Sequence, residues 1–124
     1  MALQCKVRQQ GNVSILDLQG QFSLAMRQEK GGEVPILEKV RGLMDSGNTR
    51  VVINLAGVSL LDSAGIGQLI GALTSARTRG GQIKLLKPSS DVRKVLELTQ
   101  LTRVFEIHDD EERAVQAFAA GAGP

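Results

Sequence analysis

Three apolar runs set the terms for this chain: "RVVINL" at 50–55, "QIKLL" at 82–86 and "RVFEIH" at 103–108. They are short, nearly continuous and rich in β-branched residues, which suits strands covered on both faces. Between them the spacing changes. Ile66, Leu69, Ile70, Leu73 and Ala76 recur every three or four positions, as do Val92, Val95 and Leu96, with Leu101 read as continuing that stripe, and that period belongs to a helix lying on a core. A chain that alternates these two periods is committed to strand–helix units, and so to a largely parallel sheet with helices against it.

The pattern extends in both directions. Upstream, Ile36, Leu37, Val40, Leu43 and Met44 share a helical face, with Pro35 suited to its first turn and Gly47 to its stop. Downstream, Asp109, Asp110, Glu111 and Glu112 crowd the first turn of a last helix, where acids complement the helix dipole, and Ala114, Val115, Phe118 and Ala119 form its apolar stripe. Pro88-Ser89-Ser90-Asp91 reads as a helix start, and Gly80-Gly81 ends the helix before it. Two strands open the chain: Leu3, Cys5 and Val7 alternate with polar residues, Gly11-Asn12 makes the turn, and Val13–Leu18 returns until Gly20. Residues 21–33 carry no clear period, and Gly31-Gly32 marks a flexible connection. The predicted order is β-β-α-β-α-β-α-β-α. It implies an α/β domain over residues 1–120 with a mixed, mainly parallel sheet of about five strands and about four helices, followed by a fraying tail at 121–124.

Composition removes several function classes. At 124 residues the chain has room for one real core. Three Phe and no Trp or Tyr make that core aliphatic and argue against stacking of bases or sugars on rings. A formal charge of +2 does not point to nucleic acid. Arg77, Arg79, Lys84, Lys87, Arg93 and Lys94 do crowd into eighteen residues against the single acid Asp91. That run reads first as a solvated face, and otherwise as a docking surface for an acidic partner. Cys5 is alone and has no metal-ligand cluster around it, which fits a reducing compartment. No signal-peptide stretch opens the chain. Residues 51–73 contain Asn54, Asp62, Ser63, Gln68 and four glycines, too much polarity and too mixed a period for a membrane span. The expected location is the cytoplasm, without membrane insertion.

The segment "LLDSAGIG", residues 60–67, is where chemistry could sit. A serine nucleophile at a strand-to-helix turn needs G-x-S-x-G, but Leu61 stands two before Ser63. It also needs a base, and the only histidine, His108, lies at a distant strand end. Gly65-Ile66-Gly67 gives only G-x-G-x-x-I, with no Lys-Ser/Thr pair for a P-loop, and it follows an expected loop, "AGVSLLDS" at 56–63, with seven irregular residues before it rather than a tight turn. Asp62 has no carboxylate or histidine nearby for a metal. Asp62 or Ser63 can cap the following helix. Capping does not explain Gly65 and Gly67 in its first turn, where each costs about 0.8–1 kcal/mol relative to Ala. Bare backbone there lets another chain approach closely. A serine at such a start is also a tolerable place for a phosphate, which a partner packed over the turn would reject.

These residues carry a resemblance. "VVINLAGVSLLDSAGIGQLIGA", followed by "RGGQIKLLKPSSDVRKVLELTQLTRVFEIHDDEERAV", resembles the STAS domain of bacterial anti-sigma factor antagonists, from about Arg50 to Phe118 and with the D-S-x-G-[IL]-G core. The resemblance implies a small mixed sheet with helices and no enzymatic activity, cofactor or metal. It implies an antagonist that binds a GHKL-type anti-sigma factor serine kinase while unphosphorylated, thereby releasing the sigma factor. Phosphorylation of Ser63 by that kinase switches it off, and a PP2C-type phosphatase reverses the change. Asp62, Ser63, Ala64, Gly65, Ile66 and Gly67 fall in the partner-binding motif, and Ser23 in the segment after the second strand that helps form the partner surface. Two departures stand out: Ala64 replaces a second Ser or Thr, and the stretch from Gly20 to Ala25 lacks the family's acidic-histidine pattern. The alternative is a non-enzymatic STAS interaction module in a stress-signalling scaffold or a transport-associated complex.

Overall fold

Strand β2 (Val13–Phe22) is the hinge of the architecture. It pairs antiparallel with β1 (Gln4–Gln10) on one side and parallel with β3 (Arg50–Leu61) on the other. Strands β4 (Gln82–Leu86) and β5 (Glu106–His108) continue the sheet in parallel, so spatial order follows chain order from β1 to β5. Helices α1 (Ile36–Asp45), α2 (Ser63–Thr78), α3 (Ser90–Leu98) and α4 (Glu111–Ala120) complete the strand–helix units. The computed structural model describes residues 3–22 and 36–120. Ser23, Gly31-Gly32, Pro35 and the tail at 121–124 lie outside them, as does the side chain of Ala119.

Side-chain alternation sorts the sheet into two faces. Leu16, Leu18, Val51, Ile53, Leu55, Ile83 and Leu85 pack against Ile36, Val40 and Met44 of α1, Leu69, Ala72 and Ala76 of α2, and Val92 and Leu96 of α3. Val13, Ile15, Val52 and Leu86 point the other way, onto Ala114 and Phe118 of α4. Gly47 (φ 90) ends α1, and Ser89 starts α3 by accepting the Val92 N–H at 3.2 Å, as their positions in the sequence imply.

Four expectations change. The segment from Ala56 to Leu61 is strand, not loop, because Gly57–Leu61 pair with Gln19–Phe22 and carry β2 past Gly20. Glycine is needed at Gly57, where an added Cβ would meet the Leu18 carbonyl oxygen at 2.7 Å. Strand β5 is only three residues long; Val104 and Phe105 instead donate to the Leu101 carbonyl at 3.1 and 2.9 Å, closing a 3-10 turn over Leu101–Arg103. Leu101 is therefore buried from that turn rather than from α3. Val7 and Ile70, both assigned to buried stripes, are 44% and 45% exposed.

Candidate functional site

Ser63 is mounted at the joint between β3 and α2. Strand β3 runs to Leu61, and Asp62 follows in extended conformation (φ −114, ψ −171). Its Oδ1 accepts the Ala64 N–H at 2.9 Å and the Gly65 N–H at 3.2 Å, and its carbonyl accepts the Ile66 N–H at 2.9 Å. Asp62 is thus the helix cap and Ser63 the first helical residue, which decides between the two. The joint is tight, so the expected irregular approach is wrong.

The rest of α2 holds that joint still. Leu69, Ala72 and Ala76 are fully buried, and the Gln68 side-chain oxygen accepts the Leu37 N–H at 3.1 Å, tying α2 to α1. At the far end Gly80 (φ 75) donates to the Arg77 carbonyl and Gly81 to the Ala76 carbonyl, at 3.2 and 2.7 Å, which is a Schellman closure.

The motif residues divide by exposure. Ser63 and Gly67 are exposed, Asp62, Ala64 and Ile66 are half-buried, and Gly65 is buried. Gly65 is therefore part of the packing inside this chain, against the expectation of bare backbone there, whereas Gly67 has open space where a Cβ would stand. Ser63, Gly67 and Ile70 lie at i, i+4 and i+7, on one helix face. Leu60, 44% exposed, belongs to the strand end beside them. Reading the sequence missed Leu60 and Ile70 as surface residues. Positions 66, 69, 70 and 73 fit one ordinary apolar stripe with Ile70 at its edge, so the periodicity carried no signal that Ile70 faces outward.

Other candidate groups are committed elsewhere. His108 Nε2 sits 2.6 Å from Glu106 Oε1, at the β5 edge. The basic run is dispersed, since Arg79 pairs with Asp45, Lys84 with Glu106 and Arg93 with Asp109, at 2.8, 2.7 and 2.9 Å. Half of its six charges are thus paired with acids from elsewhere in the chain. Among the described residues no three His, Cys, Asp or Glu side chains converge, and no helix is long and apolar enough to cross a membrane.

The strongest electrostatic coupling lies on the α4 face. Arg8 bonds both Asp17, at 2.6 Å, and Glu111, and Asn54 Nδ2 donates to Asp17 Oδ1 at 2.7 Å. Hydrogen bonds to Glu111 and Asp17 raise Arg8. Burial pushes the Asp17 carboxyl up, but bonds from Arg8 and Asn54 outweigh it and the net shift is down. Arg8 lowers Glu111, and Lys84 with help from His108 lowers Glu106.

Comparison with known proteins gives this arrangement a family. The STAS domain profile matches residues 4–114. A Staphylococcus aureus protein named anti-sigma-B factor antagonist is 31% identical over 88 residues, covering 66% of this chain and 82% of the relative. A Thermotoga maritima protein, provisionally named an anti-sigma factor antagonist, is 30% identical over 73 residues. That match covers 59% of this chain and spans 65% of the relative's length. The structure of the Bacillus cell fate determinant SpoIIAA in its phosphorylated form superposes with a TM-score of 0.67 at 22% identity, covering 92% of this chain and 98% of the other, a likeness of fold. On the profile match and the Staphylococcus relative together, the chain belongs to the STAS domain family.

Proposed function

We propose that this chain is a non-enzymatic, cytoplasmic anti-sigma factor antagonist switched by phosphorylation of Ser63. Its unphosphorylated form binds a GHKL-type anti-sigma factor serine kinase and releases the sigma factor; a PP2C-type phosphatase restores it after phosphorylation. One observation carries the reading: Ser63 is the exposed first residue of a helix capped by its neighbour Asp62 and anchored along its buried face. The relatives named antagonists support the role, and SpoIIAA has a phosphorylated form.

The chemistry follows from that position. A phosphate on Ser63 brings about −1.5 to −2 charge to a helix start, where the dipole tolerates it and the fold survives. The same charge lies beside Asp62 and on the face formed by Ser63, Gly67 and Ile70. A partner packed there must desolvate an unpaired dianion, a mismatch of about 3–5 kcal/mol that weakens binding by roughly two to four orders of magnitude. Asp62, Ala64, Ile66 and Gly67 shape the approach, Gly65 acts through packing, and Ser23 is retained as a partner contact.

The test is incubation with a purified anti-sigma kinase and ATP, followed by mapping of phosphate by mass spectrometry. Phosphate on Ser63, and its loss in Ser63→Ala, is the expected result. Incorporation that persists in Ser63→Ala removes Ser63 from the switch, and undiminished kinase binding by Ser63→Asp removes the charge mechanism.

A further inference from the structure

Strand β3 outruns its neighbour. It pairs with β4 only from Arg50 to Asn54, where Asn54 meets Leu86. Lys87 then adopts a left-handed conformation (φ 52) and donates its N–H to the His108 carbonyl at 2.8 Å, so the chain bends toward β5 and away from β3. Strand β3 continues to Leu61, paired on its other side with β2. The Ala56 N–H is satisfied by Asn54 Oδ1 at 3.0 Å. From Gly57 to Leu61 the strand has β2 as its one strand neighbour among the described residues. Five residues at the strand rise give an open edge of about 17 Å, and it ends at the Asp62–Ser63 joint.

Beside that edge lies a groove of about 140 Å³, lined by Ser59, Leu60 and Leu61 on the strand and by Asp91, Val92 and Val95 on α3. Its floor is apolar, and Leu60 is half open to solvent. Asp91 is exposed at the first turn of α3. Arg93, two residues on, is engaged by Asp109, and Asp91 has no ionic partner among the described residues. A strand edge offers main-chain hydrogen bonds, the floor offers an apolar contact, and Asp91 selects a cation.

We infer that the open β3 edge from Gly57 to Leu61 is a docking site for an extended, basic-apolar segment of the partner that recognises Ser63. This rests on the reading of Ser63 as a partner-facing residue and extends it: the segment adds a strand beside β3, seats an apolar side chain on Leu60, Val92 and Val95, and pairs a lysine or arginine with Asp91. Specificity for the partner is then set a few residues before Ser63, on a surface that phosphorylation does not itself alter.

The probe is an acetylated, amidated octapeptide of alternating lysine and valine, titrated into the isotope-labelled full chain and followed by NMR; alternating glutamate and valine is the control. The expected result is peptide-dependent shifts confined to Gly57–Leu61 and Asp91–Val95, about tenfold weaker binding by Asp91→Lys, and an intermediate loss in the milder Asp91→Asn. The proposal is overturned if those residues stay unmoved at millimolar peptide, or if the glutamate peptide binds as well. Hydrogen exchange with the anti-sigma kinase separates the two readings. A kinase that phosphorylates Ser63 while Gly57–Leu61 exchange as in the free chain removes the edge and leaves the switch. Failure of every kinase on Ser63, with the lysine peptide seated on the edge, removes the switch and leaves the edge.

Discussion

The two faces of the sheet are held by different physics. The face under α1, α2 and α3 is aliphatic from Leu16 to Leu96, and α2, which presents Ser63, is sealed onto it by Leu69, Ala72 and Ala76. The face under α4 has a small apolar set, Val13, Ile15, Val52, Leu86, Ala114 and Phe118, bordered by charges. Lys84 is buried there, with its ammonium 2.7 Å from Glu106 and 4.8 Å from the centre of the Phe118 ring. Arg8 ties Glu111 of α4 back to Asp17 of β2. Dispersion and burial act on the first face at any pH or salt, whereas the second adds ion pairs that acid and ions weaken. The helix headed by the exposed Ser63 is on the first face, and α4 is on the second.

The comparison can be broken at several strengths. Leu69→Ala opens a cavity beneath the α2 helix and is expected to cost about 3–5 kcal/mol in global stability, read as a fall in the urea midpoint at unchanged slope. Phe118→Ala is expected to cost about 3 kcal/mol, expressed locally: amides of α4 lose hydrogen-exchange protection while those of β3 and α2 keep theirs. Equal loss in all three would mean that the faces are one cooperative unit.

Glu111→Gln is expected to cost about 1 kcal/mol, since its partner Arg8 keeps Asp17 and the cluster is partly solvated. The pH dependence has the same origin. Asp17, Glu106 and Glu111 are held below their ordinary values, so their contribution is present above the ordinary carboxylate range and is lost as pH falls through their lowered folded values. Acid titration followed by NMR should therefore release α4 before α2, and Glu111→Gln should flatten that dependence. The smallest effect belongs to Ser63→Asp. Helix-dipole attraction and repulsion from Asp62 oppose each other, and stability should stay within about 0.5 kcal/mol of wild type by thermal melting. A larger loss would show that the charge acts on the fold itself rather than on a docking surface.

Much of this was legible in residue order. The change of period from "RVVINL" to Ile66–Ala76 named the parallel sheet and its helices, and Asp62 before Ser63 marked a helix start. What stayed illegible depended on neighbours distant in sequence. The segment from Ala56 to Leu61 contains two small residues and a serine, and looks like a loop until Gln19–Phe22 supplies its hydrogen bonds. Ile70 satisfies a helical stripe, but the rotation of α2 against the sheet turns it outward. The basic run looked uniformly charged because the acids that pair with half of it, Asp45, Glu106 and Asp109, lie far from their partners in sequence.

The sequence by itself determined the periods, and through them the strand–helix order and the place of Ser63 at the head of a helix, because backbone sterics and side-chain alternation act over a few residues. Tertiary structure alone decided that Gly65 faces inward while Gly67 faces out, that α4 stands opposite the other helices, and that β3 overruns β4. Those outcomes hang on pairing and packing between segments far apart in the chain, where each contact depends on where every other strand has come to rest.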